Sequence, residues 1–100
     1  MEVRPPRSYR LTLAYDGTGL VGWQREARGV SVQGLLEEAL EALEGAPVQV
    51  VGAGRTDAGV HAIGQVASCT LTRTIEVPVL QRALNALLPP AVRVVAIGEV

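Results

Sequence analysis

The residues best suited to chemistry lie in a glycine-bracketed segment, Gly54 to His61. It holds Asp57, one of the two aspartates of the chain, with Arg55 two positions before it. A guanidinium that close favours the ionised carboxylate, as a nucleophile or an electrostatic stabiliser requires. Asp57 is therefore a candidate nucleophile. The alternative is a plain turn in which Asp57 caps its own backbone and Arg55 is a solvated neighbour.

Other common site patterns are incomplete in this segment. A dinucleotide-binding fingerprint would need glycine at position 57 and a helix after it. Gly54 and Gly59 have the spacing of a phosphate loop, but Val60 and His61 replace its Lys and Ser or Thr. One histidine and one cysteine, Cys69, fall short of a closed metal site. No serine has the sequence context of a nucleophile elbow. Asp57 therefore remains the main candidate.

Strands must position this segment. Arg7 to Tyr15 alternates apolar and polar side chains, which predicts a first strand. The Val-rich stretch Pro47 to Ala53 and the stretch Ala62 to Leu71 predict two more strands, one on either side of the Asp57 segment. Val92 to Val100 predicts the last strand. Asp57 is thus expected in a tight loop between neighbouring strands.

Two helices are expected between the strands. Ser31 is a candidate N-cap and Gly45 a stop signal for the first helix. Its apolar stripe consists of Val32, Leu35, Leu36, Ala39, Leu40 and Leu43, with Glu37, Glu38, Glu41 and Glu44 predicted to face away. Pro78 fits the first turn of the second helix, and Pro89 with Pro90 ends it. Its stripe consists of Val79, Leu80, Ala83, Leu84, Leu87 and Leu88.

The predicted element order is βαββαβ. It folds most simply as a ferredoxin-like α+β unit with both helices on one face of an antiparallel sheet. At 100 residues and 48% hydrophobic content, the chain is expected to form one domain over residues 1–100. Met1 to Arg10 is too charged for a secretory signal and no run is long enough to cross a membrane, so a cytoplasmic location is expected.

Charge is unevenly distributed along the chain, although the net charge is only −1. Residues 1–30 carry five arginines against three acids, whereas residues 31–50 carry four glutamates and no base. The connection from Asp16 to Val30 is long for a compact domain, which favours a contact surface. Its candidate contact residues are Trp23, Gln24, Arg25 and Arg28.

Several segments together resemble the signature segments of TruA-type tRNA pseudouridine synthases, in the same order. They are Tyr15-Asp16-Gly17-Thr18, Gly22-Trp23-Gln24-Arg25, Ser31-Val32-Gln33, Gly54-Arg55-Thr56-Asp57-Ala58-Gly59-Val60-His61 and Asn85-Ala86-Leu87-Leu88-Pro89. The eight-residue block around Asp57 is far more specific than a lone glycine pattern.

The resemblance implies an isomerase that converts uridine to pseudouridine in the anticodon arm of tRNA, without metal or organic cofactor. It implies that Asp57 is the catalytic aspartate and that Arg55 holds the substrate or the extruded base. Thr56 and His61 are expected to help at the same loop, His61 by orienting it. Trp23 is a candidate to stack on a base or to anchor its loop, and Gln24, Arg25 and Arg28 are candidates to touch the tRNA backbone.

The chain departs from the family in length. Family members carry a second half with a tyrosine expected near the aspartate, and neither Tyr9 nor Tyr15 matches that position. The chain is therefore expected to be an N-terminal fragment that folds but turns over little or no substrate. The resemblance also implies a homodimer for the full-length protein.

Two alternatives stay open. The first is a non-catalytic RNA-binding module of ferredoxin-like fold. It is disfavoured because such modules stack bases on aromatics in their central strands, whereas Ala62 to Leu71 has none. The second is a small-molecule or acyl-phosphate site that uses Arg55 and Asn85, which the fold by itself does not exclude.

Overall fold

The computed structural model describes residues 6–16, 29–52 and 62–100 of the chain. In that part, the elements are β1 (Arg7–Tyr15), α1 (Val32–Glu44), β2 (Val51–Gly52), β3 (Ala62–Leu71), α2 (Val77–Leu87) and β4 (Val92–Glu99). The strands form an antiparallel sheet in the order β2-β3-β1-β4. This arrangement confirms the predicted ferredoxin-like α+β fold.

One face of the sheet carries the hydrophobic core. Along β1, the alternate residues Tyr9, Leu11, Leu13 and Tyr15 are buried. They join one cluster with buried residues of both helices, namely Leu36, Leu40, Leu80 and Leu84. Each fully buried leucine contributes about 1.5–3 kcal/mol of transfer free energy. Both helices therefore cover the same face, and no element of the described residues covers the opposite face, called the open face below.

Helix α1 begins and ends at the predicted residues. Ser31 is the N-cap, and its buried Oγ accepts a hydrogen bond from the Gly34 N–H at 3.1 Å. At the other end, Gly45 adopts φ of +81° and its N–H donates to the Glu41 carbonyl at 2.8 Å. A left-handed residue closes a helix in this way, and glycine adopts that conformation without a Cβ penalty.

Helix α2 follows its prediction only in part. Pro78 lies in the first turn, and the Leu88 N–H closes the last turn on the Leu84 carbonyl at 2.9 Å. The predicted apolar stripe is wrong at Val79 and Leu87, which are 44% and 50% exposed. Val79 is turned about 100° from the buried Leu80, and Leu87 is the last helical residue. Within the described ranges, no helix is long and apolar enough to span a bilayer.

The predicted strand Pro47 to Ala53 is much shorter in the structure. Only Val51–Gly52 pairs with β3, and Ala53 lies outside the described residues. The backbone groups of Val50 bond instead to α1: its N–H donates to Glu37 Oε2 at 3.0 Å, and its carbonyl accepts from Gln33 Nε2 at 2.9 Å. Side chains of the helix therefore take the place of a strand partner.

The prediction that all four α1 glutamates face away is wrong for two of them. Glu37 is half-buried and accepts the Val50 N–H. Glu44, at the last helical position, accepts the backbone N–H groups of Thr72 and Arg73 at 2.8 and 3.1 Å. Both carboxylates replace water at backbone donors that a sequence pattern does not reveal.

Candidate functional site

Every residue that the sequence assigns to the site lies outside the described residues. Segment 53–61 contains Arg55, Thr56, Asp57 and His61, and segment 17–28 contains Trp23, Gln24, Arg25 and Arg28. The roles of these eight residues therefore stay predictions. The structure does describe the residues that flank both segments.

One flank of each segment lies at the same end of the sheet. Tyr15, at the end of β1, pairs with Ala62, where β3 begins, and with Val92, where β4 begins. Segment 17–28 begins two positions after Tyr15, and segment 53–61 ends directly before Ala62. Strand β2 runs antiparallel to β3 and stops at Gly52 on the way to the same end. The chain thus enters or leaves both predicted site segments at this end.

Backbone hydrogen bonds hold this end of the sheet together. The Asp16 N–H donates to the Ala91 carbonyl at 2.8 Å, and the Val92 N–H donates to the Pro89 carbonyl at 3.0 Å. Tyr15 is 4% exposed and Val92 is fully buried beside it. The entry to segment 17–28 is therefore tied to the turn between α2 and β4.

The side chain of Asn85 bonds the backbone of β4. Its Oδ1 accepts the Val94 N–H at 2.8 Å, and its Nδ2 donates to the Val94 carbonyl at 3.0 Å. Both ends of the side-chain amide are thus used by the backbone of β4. An acyl-phosphate site built on Arg55 and Asn85 loses one of its two candidate ligands.

The open face of the sheet carries a depression with a mixed polar and apolar lining. This depression of about 970 Å³ has among its lining residues Ser8, Arg10, Gln49, Val51, Ser68 and Thr70. The hydroxyls of Ser8 and Thr70 hydrogen-bond to each other at 3.1 Å. Arg10 is exposed on this face, whereas Arg7 forms an ion pair with Glu99 at 3.5 Å. Hydroxyl and guanidinium donors of this kind suit phosphate and ribose oxygens.

The described part of the open face carries no aromatic side chain on which a base could stack. Tyr9 and Tyr15 point into the core, and the Tyr9 hydroxyl donates to the Ile75 carbonyl at 3.3 Å. RNA-binding modules that stack bases on their central strands require the opposite orientation. This observation disfavours the non-catalytic module.

Cys69 does not offer a second nucleophile. It lies 4% exposed in the core. Burial raises the pKa of its thiol to about 11, and the negative charge of Glu44 adds to the shift. The reactive thiolate is therefore scarce at neutral pH. Among the described residues, no three acidic, histidine or cysteine side chains cluster as metal ligands.

Comparison with known proteins gives a consistent result. A family model described as tRNA pseudouridine synthase matches residues 12–100. The chain is 50% identical over 94 residues to tRNA pseudouridine synthase A of Solibacter usitatus, covering 94% of this chain and 39% of the relative. It is 54% identical over 91 residues to the protein of that name from Beijerinckia indica, covering 91% and 35%. For the Methylacidiphilum infernorum protein, the identity is 56% over 86 residues, covering 86% and 34%. The chain thus spans about two fifths or less of the length of these curated relatives.

Proposed function

The chain belongs to the tRNA pseudouridine synthase family, and on that premise we propose that it forms the amino-terminal part of an enzyme that isomerises uridine to pseudouridine in the anticodon arm of tRNA. The observation that carries the proposal is the family match over residues 12–100, with half or more of the aligned residues identical in relatives named tRNA pseudouridine synthase A.

Asp57 is the proposed catalytic residue, acting as a nucleophile. Arg55 holds the substrate or the extruded base, and Thr56 and His61 support the same loop. Residues Trp23, Gln24, Arg25 and Arg28 are proposed RNA contacts. The register that joins Tyr15 to Ala62 supports this assignment, because it brings one flank of each segment to the same end of the sheet.

The reaction explains why one carboxylate suffices. Isomerisation breaks the bond between C1′ and N1, turns the uracil, and forms a bond between C1′ and C5. The proton on C5 leaves to solvent and N1 gains a proton, so no group is imported and nothing is oxidised. The Asp57 carboxylate attacks either C1′ or the pyrimidine ring and is released when the new bond forms. Glycoside hydrolases need two carboxylates because they must also activate water.

The target base must leave its stack before Asp57 reaches it. Enzymes that act on a base inside a helix extrude the nucleotide into a pocket and compensate for the lost stacking. An arginine beside the nucleophile is suited to this task, because its planar guanidinium stacks on bases and binds phosphate. No step requires a metal or an organic cofactor.

The relatives' greater length bears on the activity. We propose that a further part of the protein closes the cleft opposite Asp57, that the longer protein forms a homodimer, and that it works on tRNA in the cytoplasm. The chain by itself has a continuous core from both helices and the sheet, which supports independent folding. Without the opposite wall, we expect little or no turnover from it.

The test is release of the C5 hydrogen from tRNA labelled at C5 of uridine, measured with the longer protein. Asp57→Asn should abolish release and leave tRNA binding nearly intact. Asp16→Asn is the matched control, because it makes the same change at the other aspartate and should retain most of the release. Full release by Asp57→Asn would show that the catalytic assignment is wrong.

A further inference from the structure

We propose that a groove between α2 and β4, bounded by Arg82 and Arg93, binds the sugar–phosphate backbone of RNA. The groove lies in the described part of the chain, apart from segments 17–28 and 53–61. This inference rests on the proposed function, because it names a second contact for the same tRNA.

Hydrogen bonds across the groove bring the two arginines to its sides. The groove has a volume of about 640 Å³ and is lined by Pro78, Gln81, Arg82, Asn85, Ala86 and Arg93. Gln81 Nε2 donates to the Val94 carbonyl at 3.2 Å, and the Asn85 amide bonds to the same residue. Arg82 follows Gln81 on α2 and Arg93 precedes Val94 on β4, so these contacts hold together the two elements that carry the arginines.

The groove is cationic. None of its six lining residues is acidic, and within the described ranges neither guanidinium forms an ion pair with a carboxylate. Helix α1, by contrast, carries four glutamates and no base. A polyanion is therefore favoured at the groove itself and disfavoured along α1.

Arg93 is held in place for this role. Its Nη1 donates to the Asn85 carbonyl at 2.7 Å, near the end of α2. A guanidinium carries five N–H donors, so one bond to a carbonyl leaves others for phosphate oxygens. Because the side chain is already oriented, less conformational freedom is lost when phosphate binds.

The groove lies beside the end of the sheet that carries the proposed catalytic segment. Arg93 pairs with Ala14, two residues before Asp16, and Val92, the residue before Arg93, pairs with Tyr15. An RNA strand in the groove is thus close to the end of β1 at Tyr15. Both arginines are exposed. Exposed cations suit an extended polyanion, whose affinity comes from counterion release. They suit a small anion less well, because it needs an enclosed site.

The experiment measures binding of an unmodified tRNA transcript to the longer protein across a range of salt concentrations. Arg82→Ala/Arg93→Ala should weaken binding about three- to tenfold at low salt and make the plot of log K against log salt shallower by about 1.5. Arg82→Lys/Arg93→Lys keeps both charges and should restore most of the slope. Arg73→Ala removes the same charge beside Gly45, away from the groove, and should behave as wild type.

The same set of variants distinguishes an effect on folding from an effect on RNA binding. Arg82→Ala breaks no internal hydrogen bond that holds the groove, so its loss of affinity at an unchanged melting temperature supports the proposal. Unchanged affinity and slope in the double alanine variant would overturn it. In that case, C5 hydrogen release that still depends on Asp57 would show that the proposed function stands without this groove.

Discussion

The side-chain amide of Asn85 bonds both backbone polar groups of Val94, at 2.8 Å to the N–H and 3.0 Å to the carbonyl. Val94 is buried in β4, which among the described strands lies at the edge of the sheet and pairs with β1 alone. Gln81, one helical turn before Asn85, donates to the same carbonyl. Two polar side chains four residues apart on α2 therefore act as a substitute strand for the sheet edge.

Asn85→Ala should lower the free energy of unfolding by about 1–3 kcal/mol, because a buried N–H then has no partner. Urea unfolding at neutral pH measures the change. Gln81→Ala is the control and should cost less, since Asn85 still donates to the Val94 carbonyl. Equal losses in the two variants would contradict the assigned role of the Asn85 amide.

The opposite edge of the sheet is covered in the same way. Gln33 and Glu37, also four residues apart, bond the carbonyl and the N–H of Val50 beside β2. An edge strand with unpaired backbone groups is a template for pairing with another chain. Each helix thus protects one outer edge of the sheet with one pair of polar side chains.

Gln33→Ala/Glu37→Ala should destabilise the domain by about 1–3 kcal/mol and promote self-association, because the Val50 edge is uncovered. Urea unfolding and light scattering measure the two effects. Glu37→Gln keeps an oxygen acceptor for the Val50 N–H and should remain close to wild type. A double variant that stays as stable and as monodisperse as wild type would show that the edge needs no cover.

Local signals in the sequence predicted the elements that local interactions stabilise. Alternation predicts β1 at Arg7–Tyr15, and the structure has the strand there. The predicted strand Ala62 to Leu71 is also confirmed, as are Ser31 and Gly45 at the two ends of α1. The Val-rich stretch 47–53 predicts too long a strand, because the hydrogen-bond partners of the Val50 backbone are side chains that lie 13 and 17 residues earlier in the chain. A period-two pattern records burial, and it carries no information on which group accepts a backbone N–H.

For the candidate site, the sequence predicts which residues belong to it but not how they are brought together. Residue types and motif resemblance named Asp57 and its neighbours, and the pairing of Tyr15 with Ala62 shows that one flank of each segment lies at the same end of the sheet. The role of Asn85 was missed, because its partner Val94 is defined only once α2 packs beside β4. The only signal for it in the sequence is the resemblance of the segment from Asn85 to Pro89 to a family segment.

Glu44 makes the stability of the domain depend on acid pH. Partial burial opposes its ionisation, but the backbone N–H groups of Thr72 and Arg73, the Thr72 hydroxyl and the Arg73 charge outweigh burial and lower its pKa. The stabilisation is thus present above the ordinary glutamate pKa and is lost as the pH falls through the lowered value. Glu44→Gln should lower the melting temperature at pH 7.

The control for Glu44 is Glu38→Gln, which removes a charge from the exposed face of the same helix. Melting temperatures of both variants and wild type are compared from neutral to acid pH. The difference between wild type and Glu44→Gln should shrink as the carboxylate becomes protonated. A difference that stays constant in acid, or an equal effect of Glu38→Gln, would contradict the role of Glu44.

Cys69 should make the stability of the domain fall as the pH rises into the alkaline range. Burial, followed by the charge of Glu44, raises the pKa of its thiol to about 11 from an ordinary value of 9.0. The folded state therefore keeps a proton that the unfolded chain loses first. The stability that this group contributes is full below about pH 9 and declines as the pH rises towards 11.

Cys69→Ala removes this dependence and serves as the reference, because other groups titrate equally in both proteins. The gap in unfolding free energy between wild type and Cys69→Ala should narrow from pH 8 to pH 10.5 in urea titrations, and native wild type should react slowly with a thiol reagent at pH 8. Rapid labelling of folded protein, or a gap independent of pH, would show that the thiol is not held neutral in the core.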